Sequence, residues 1–213
     1  MAPTDRLVPR FAAEPSQDGL PYGRWAHQLG EEFYAACLRI DSEGEDLGEP
    51  GDILWYPDRT LGGRTYVPAT TLTSTDLELF GFVSFVPGAE GGEPSDFAAA
   101  ADFTAETAER NPDWKLDLCD ETIGSWRGDE GRTATITLVW GRPLVTGGAI
   151  ATAELADLAV DQCILAENRF TLIAPDDYRG DFLEVKLFDR RGRELARESL
   201  YEGDDEDEED ASE

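Results

Sequence analysis

The sequence predicts a mainly β or α+β protein of antiparallel, sandwich-like sheets with about two helices. Three observations carry that expectation. Strand-like runs outnumber helical stripes, and the cleanest is "TATITLVW", where Ala134, Ile136, Leu138 and Trp140 alternate with Thr133, Thr135, Thr137 and Val139. Gly-, Pro- and Asp-rich stretches punctuate the runs at intervals suited to hairpins. Strands and helices do not alternate as βαβ units, which leaves antiparallel pairing.

Taken in order, residues 1–24 read as an arm with prolines at 3, 9, 15 and 21 and no apolar period. A short helix is expected from Trp25 to Gly30. "EEFYAACLRI" reads as a buried strand, with Phe33, Ala35 and Cys37 on one face and Tyr34, Ala36, Leu38 and Ile40 on the other. "DSEGEDLGEPG" is a loop. Between two aromatic runs, Leu61-Gly62-Gly63 marks a hairpin or wider bend. "DLELFGFVSFVP" is apolar on both faces, as a central strand is, and Gly81 marks a close approach or a bulge.

A helix is predicted from an N-cap at Ser95 through the alanines to Arg110, stopped by Asn111-Pro112. Two strands, 114–126 and 132–141, follow around the turn "RGDEG". Leu155, Leu158, Ala159, Gln162 and Cys163 have helical spacing and predict a second helix. "RFTLIAP" returns to strand, and "DFLEVKLFDRRGRELARESLY" reads as a hairpin turning at Asp189–Gly192. Residues 25–202 form a single β-rich domain in this reading, with a possible subdivision near 88–95. Residues 203–213 form a disordered acidic tail, because like charges repel and no apolar surface is there to bury.

Charge narrows the function classes. Forty-six acidic residues against 18 basic ones give a formal net charge of −28. Setting aside the eight carboxylates between Asp204 and Glu213 still leaves the body near −20. Such a field repels phosphate backbones, which argues against direct nucleic-acid or anionic-membrane partners and favours a basic protein. Salt adaptation or codon bias would give the same composition without any partner. No run of eighteen apolar residues suggests a membrane span, and a cytoplasmic location is the expectation.

Signs of catalysis are few. His27 is the single histidine and no nucleophile frame accompanies it, so no catalytic residue is named. Cys37, Cys119 and Cys163 lie far apart in apolar surroundings and read as buried thiols. "DSEGED" and "RGDEG" gather carboxylates without the spacing of a calcium loop, and "LVTGG" lacks a phosphate-loop pattern. No metal or cofactor is expected.

The densest cluster of interaction-prone residues is Trp55, Tyr56, Asp58, Arg59, Arg64 and Tyr66. Rings with arginine and carboxylate describe a protein interface, a sugar platform, or a strand pair whose rings sit in the core. The leading expectation is a non-enzymatic acidic interaction protein that docks a basic protein, of the immunity, inhibitor or mimic type. The alternatives are a structural or assembly subunit, and a carbohydrate-binding module or carboxylate-based glycoside hydrolase.

Overall fold

Of the 213 residues, the computed structural model describes 24–89, 92–127, 133–177 and 181–200. The expected arm, apart from Arg24, and the expected acidic tail 203–213 both lie outside the described residues. One helix, α1 (Arg24–Cys37), precedes twelve strands. These are β1 (Leu54–Trp55), β2 (Arg59–Leu61), β3 (Arg64–Leu72), β4 (Glu78–Val86), β5 (Ser95–Thr104) and β6 (Leu116–Arg127). They continue with β7 (Thr133–Pro143), β8 (Ile150–Leu155), β9 (Leu158–Ile164), β10 (Phe170–Asp176), β11 (Leu183–Phe188) and β12 (Glu194–Ser199).

The strands form three antiparallel sheets. The first runs β1-β3-β4-β5 with β2 also paired to β3, the second β10-β7-β6, the third β12-β11-β8-β9. Neighbouring layers share apolar clusters, so the order is α1, first sheet, second sheet, third sheet. Leu29, Phe33 and Cys37 of α1 pack on Val67, Ala69, Leu79 and Val83 of the first sheet. Its opposite face supplies Tyr66 and Phe82 against Ile136, Leu138, Trp140 and Ile173 of the second. The far side of the second sheet, with Leu116, Val139, Phe170 and Leu172, meets Ala151, Leu155, Leu183, Val185 and Leu187 of the third. Alternation along each strand sends successive side chains to opposite layers.

Several expectations hold in this arrangement. β4 is central, flanked by β3 and β5, and Gly81 has no room for a side chain, because a Cβ there would stand 2.1 Å from the Ala100 carbonyl oxygen. Gly62 and Gly63 turn the β2–β3 hairpin, and Gly192 turns β11 into β12 with φ 77°. The period-two residues of β7 form the middle strand of the second sheet, and even Thr137 on its threonine face is buried.

Three elements differ from expectation, and only one helix stands among the described residues. "EEFYAAC" is the second half of α1, not a strand. Extended back to Arg24, the buried residues Leu29, Phe33, Ala36 and Cys37 fall four, three and one apart, a helical stripe laid on a sheet. The alanine-rich stretch from Ser95 is β5. Seven of its residues, Ala98–Thr104, pair in continuous register with β4, and small side chains let α1 lie close over Ala99 and Ala101, so tertiary pairing overrides alanine's helix propensity. The second expected helix is the β8–β9 hairpin. Ala156 and Asp157, at φ 54° and 62°, form the two-residue turn between them, and paired strands replace the helical spacing. β4 and β5, which lie on either side of the expected subdivision near 88–95, are paired neighbours in one sheet. No helix among the described residues is long and apolar enough to cross a membrane.

Candidate docking face

The six residues singled out in the sequence do not form one exposed patch. Tyr56 and Tyr66 are buried in the core between the first and second sheets, Tyr66 edge-on to Phe82 at 5.6 Å between ring centres. Trp55 is half-buried on the opposite side, tilted against Phe33 of α1 at 6.1 Å. Asp58 is half-buried in the turn between β1 and β2. Arg64 donates to Ser84 Oγ at 3.0 Å and to the Asp96 carbonyl at 2.9 Å, and pairs with the Asp96 carboxylate.

Arg59, like Tyr56, is only 2 % exposed. Its guanidinium reaches from β2 to Asp161 of β9, donating at 2.6 Å and 2.5 Å to the two carboxylate oxygens. Asp161 also accepts the Ile173 N–H of β10 at 2.9 Å. One ion pair thereby ties the three sheets together, and at the outer edge of β10 the Ile173 N–H is taken by a β9 side chain. Burial raises the Asp161 carboxyl above its usual range despite the guanidinium, so desolvation outweighs the attraction. The Cys163 thiol is pushed up to about 12 and that of Cys37 to about 11, both by burial, which holds them as protonated, apolar groups.

A second set of charges, not singled out in the sequence, lies at the other edge of the two inner sheets. β6 is an edge strand, and its odd residues Asp117, Cys119 and Glu121 face the first sheet. Glu78, at the start of β4, is held at the same end. Burial pushes its carboxyl up to about 7, with Asp117 and Glu109 adding repulsion and Thr70 and Arg142 opposing it. Asp117, 7 % exposed, accepts from Arg142 Nε at 2.8 Å. Burial followed by the charges of Asp120 and Asp102 raises Glu121. Burial followed by Asp176 raises Asp120. The Cys119 thiol is raised well above its ordinary value by burial and then by these carboxylates, and burial likewise raises Tyr56.

Like charges brought together in a partly dry setting hold their carboxyls toward the neutral form. Arg142, the cation acting on Glu78, is already engaged by Asp117, and the neighbours acting on Glu121 are carboxylates. An approaching cation would relieve this repulsion. Among the described residues no group of three or more His, Cys, Asp or Glu side chains has metal-holding geometry. These acids follow the edge strand β6, Asp117 and Glu121 on its face toward the first sheet and Asp120 on the other, and this line of carboxylates is the ridge.

Bordering the ridge, β5 is the end strand of the first sheet among the described residues. Its Asp102 is exposed and acts on Glu121 of β6. The strand expected over 114–126 is β6, and an acid on each face of "LDLCDE" places carboxylates against a second layer whichever face turns inward. What the sequence lacks is the partner sheet. Comparisons with protein-family models, curated proteins and solved structures found no match to this chain.

Proposed function

We propose that this protein is a non-enzymatic acidic interaction protein, and that the ridge formed by Asp102, Asp120, Glu121 and the Glu78–Asp117 end of β4 and β6 docks a basic protein. One observation carries the reading: Glu78, Asp120 and Glu121 all sit above the usual carboxylate range, with burial first and neighbouring carboxylates second among the causes. A cationic partner gains from the uncompensated field, and the ridge ionises as the partner arrives, releasing protons. Affinity then rises with pH from about 5 to 8 and falls with salt.

Capture of basic proteins at low salt, from a lysate and from a defined set of purified cationic proteins, tests this. The triple variant Asp102→Asn, Asp120→Asn, Glu121→Gln loses the interaction, whereas Glu43→Gln, Glu45→Gln, Asp46→Asn, with the same change in net charge, retains it. Equal loss in both variants would reduce the effect to overall charge. A second reading, carboxylate-based glycoside hydrolysis, draws on Glu78 at about 7 beside Asp117, a pair whose unequal environments suit acid–base work. Turnover of chromogenic glycosides by the parent protein and its loss in Glu78→Gln decide it.

A further inference from the structure

Resting on the docking reading above, we propose that the partner contributes an extended segment of alternating cationic and apolar residues that adds to the first sheet as a strand beside β5. The two end strands of the inner sheets differ in how they are finished. On β10 the outward N–H of Ile173 is taken by the Asp161 carboxylate of β9 at 2.9 Å. On β5 the outward groups belong to the odd residues, because the Ala99 carbonyl accepts from Arg39 at 3.4 Å, and a residue's N–H and C=O point to the same side of a strand. The Phe103 N–H is taken by the side chain of Asp102 at 2.8 Å. The Ala99 N–H and both groups of Ala101 face outward with no bond to another described residue.

The usual defences of an edge are sparse here. β5 is ten residues long and contains neither proline nor lysine, and five of its positions are alanine or serine, which leave the backbone open to approach. A strand added at this edge alternates its side chains between two surroundings. Residues level with Asp102 face the second sheet's side, where Glu121 stands. Residues level with Ala99 and Ala101 face the α1 side, near the end of the helix where Leu38, 87 % exposed, follows it. Cations suit the first set and apolar side chains the second. A second copy of this chain is disfavoured as occupant, since β5 carries Asp96 and Asp102 and no cation, and each copy brings a net charge of −28.

The test uses the full chain and two end-capped octapeptides of alternating arginine and valine, identical except that one is N-methylated on its valines. Both carry the same charge, but only the first can donate to the Ala99–Ala101 edge. The unmethylated peptide binds at least tenfold tighter and slows hydrogen exchange of the Ala99 and Ala101 amides. Ala101→Pro removes an outward N–H and abolishes that difference, while Asp102→Asn weakens both peptides. Equal binding of the two peptides, both released by salt, overturns strand addition and leaves charge-driven docking standing. Failure of both peptides also overturns it. Slow exchange at Ala99 and Ala101 in the protein alone would do the same, by showing that the chain or a second copy already fills the edge, the two being separated by concentration dependence.

Discussion

Two regions of this molecule bury carboxylates and resolve the cost in opposite ways. Asp161 meets one guanidinium nitrogen of Arg59 across both carboxylate oxygens and two backbone N–H groups, so its charge has defined partners. Along β6 and the start of β4, Glu78 and Asp117 share one guanidinium, that of Arg142, while Glu121 has the carboxylates Asp120 and Asp102 as its charged neighbours and Asp120 has Asp176. The first region is a clamp between sheets. The second gathers carboxyls along a sheet edge with a single guanidinium, and that one is engaged by Asp117. A buried charge with its own partner therefore belongs to the architecture, whereas the half-buried charges among their own kind are what the docking proposal rests on.

The largest effect that would break the comparison comes from the clamp. Arg59→Leu leaves Asp161 buried without its cation and lowers unfolding stability by about 3–5 kcal/mol in a denaturant titration. Adding Asp161→Asn to that variant removes the stranded charge while keeping an acceptor for the Ile173 N–H, and recovers more than half of the loss. A single-variant loss of under about 1 kcal/mol would deny the pair its role as a clamp.

Next comes Glu78, where the sign is opposite. Its folded value of about 7 lies above the ordinary 4.5, so the folded state binds the proton more tightly. Stability is therefore unaffected by this group below about pH 4.5, declines as pH rises to about 7, and stays reduced above that. Glu78→Gln raises stability at pH 8 by up to about 3 kcal/mol and changes nothing at pH 4. A variant that is destabilised at both pH values would show that Glu78 is held as a satisfied structural group, and the contrast with Asp161 would fail.

Arg142→Met sharpens the same boundary with a smaller effect. It strands the Asp117 carboxylate, and unfolding at pH 7 shows a loss of about 1–3 kcal/mol. Titration of Glu78 followed by NMR moves further up in this variant, because Arg142 is one of the groups holding it down. Smallest is Arg197→Ala on the outer face of the third sheet. Arg197 is half-exposed and pairs with Glu194 at 3.2 Å and Glu184 at 3.7 Å, so its melting midpoint stays within error of the parent's.

Much of this fold was legible in the chain because strands announce themselves locally. The alternation of β7, the Gly81-marked centre of β4, the hairpin at Gly192 and the two-glycine turn at 62–63 each follow from a few adjacent residues. The misread elements were those whose local signal serves two structures. "EEFYAAC" satisfies either period over seven residues, and only the stripe running back to Leu29 selects the helix. Alanines 98–101 favour a helix alone, and pairing with β4 beneath α1 makes them a strand. Ala156 and Asp157 occupy left-handed backbone that their residue types do not advertise, which hid the β8–β9 turn. The candidate residues fared similarly. Tyr56, Arg59 and Tyr66 have the chemistry of an interface, yet burial commits them to the interior, while nothing local distinguishes Glu78 and Glu121 in an acidic chain.

By itself the sequence determined the β character, the positions of most strands and the strong negative charge, since each is a property of neighbours along the chain. Only the tertiary structure decided which carboxylates lie in the company of a cation and which in the company of other carboxylates. Desolvation and Coulomb repulsion depend on distances between residues as far apart as Glu78 and Asp117 or Asp102 and Glu121, and strand order, not sequence order, sets those distances.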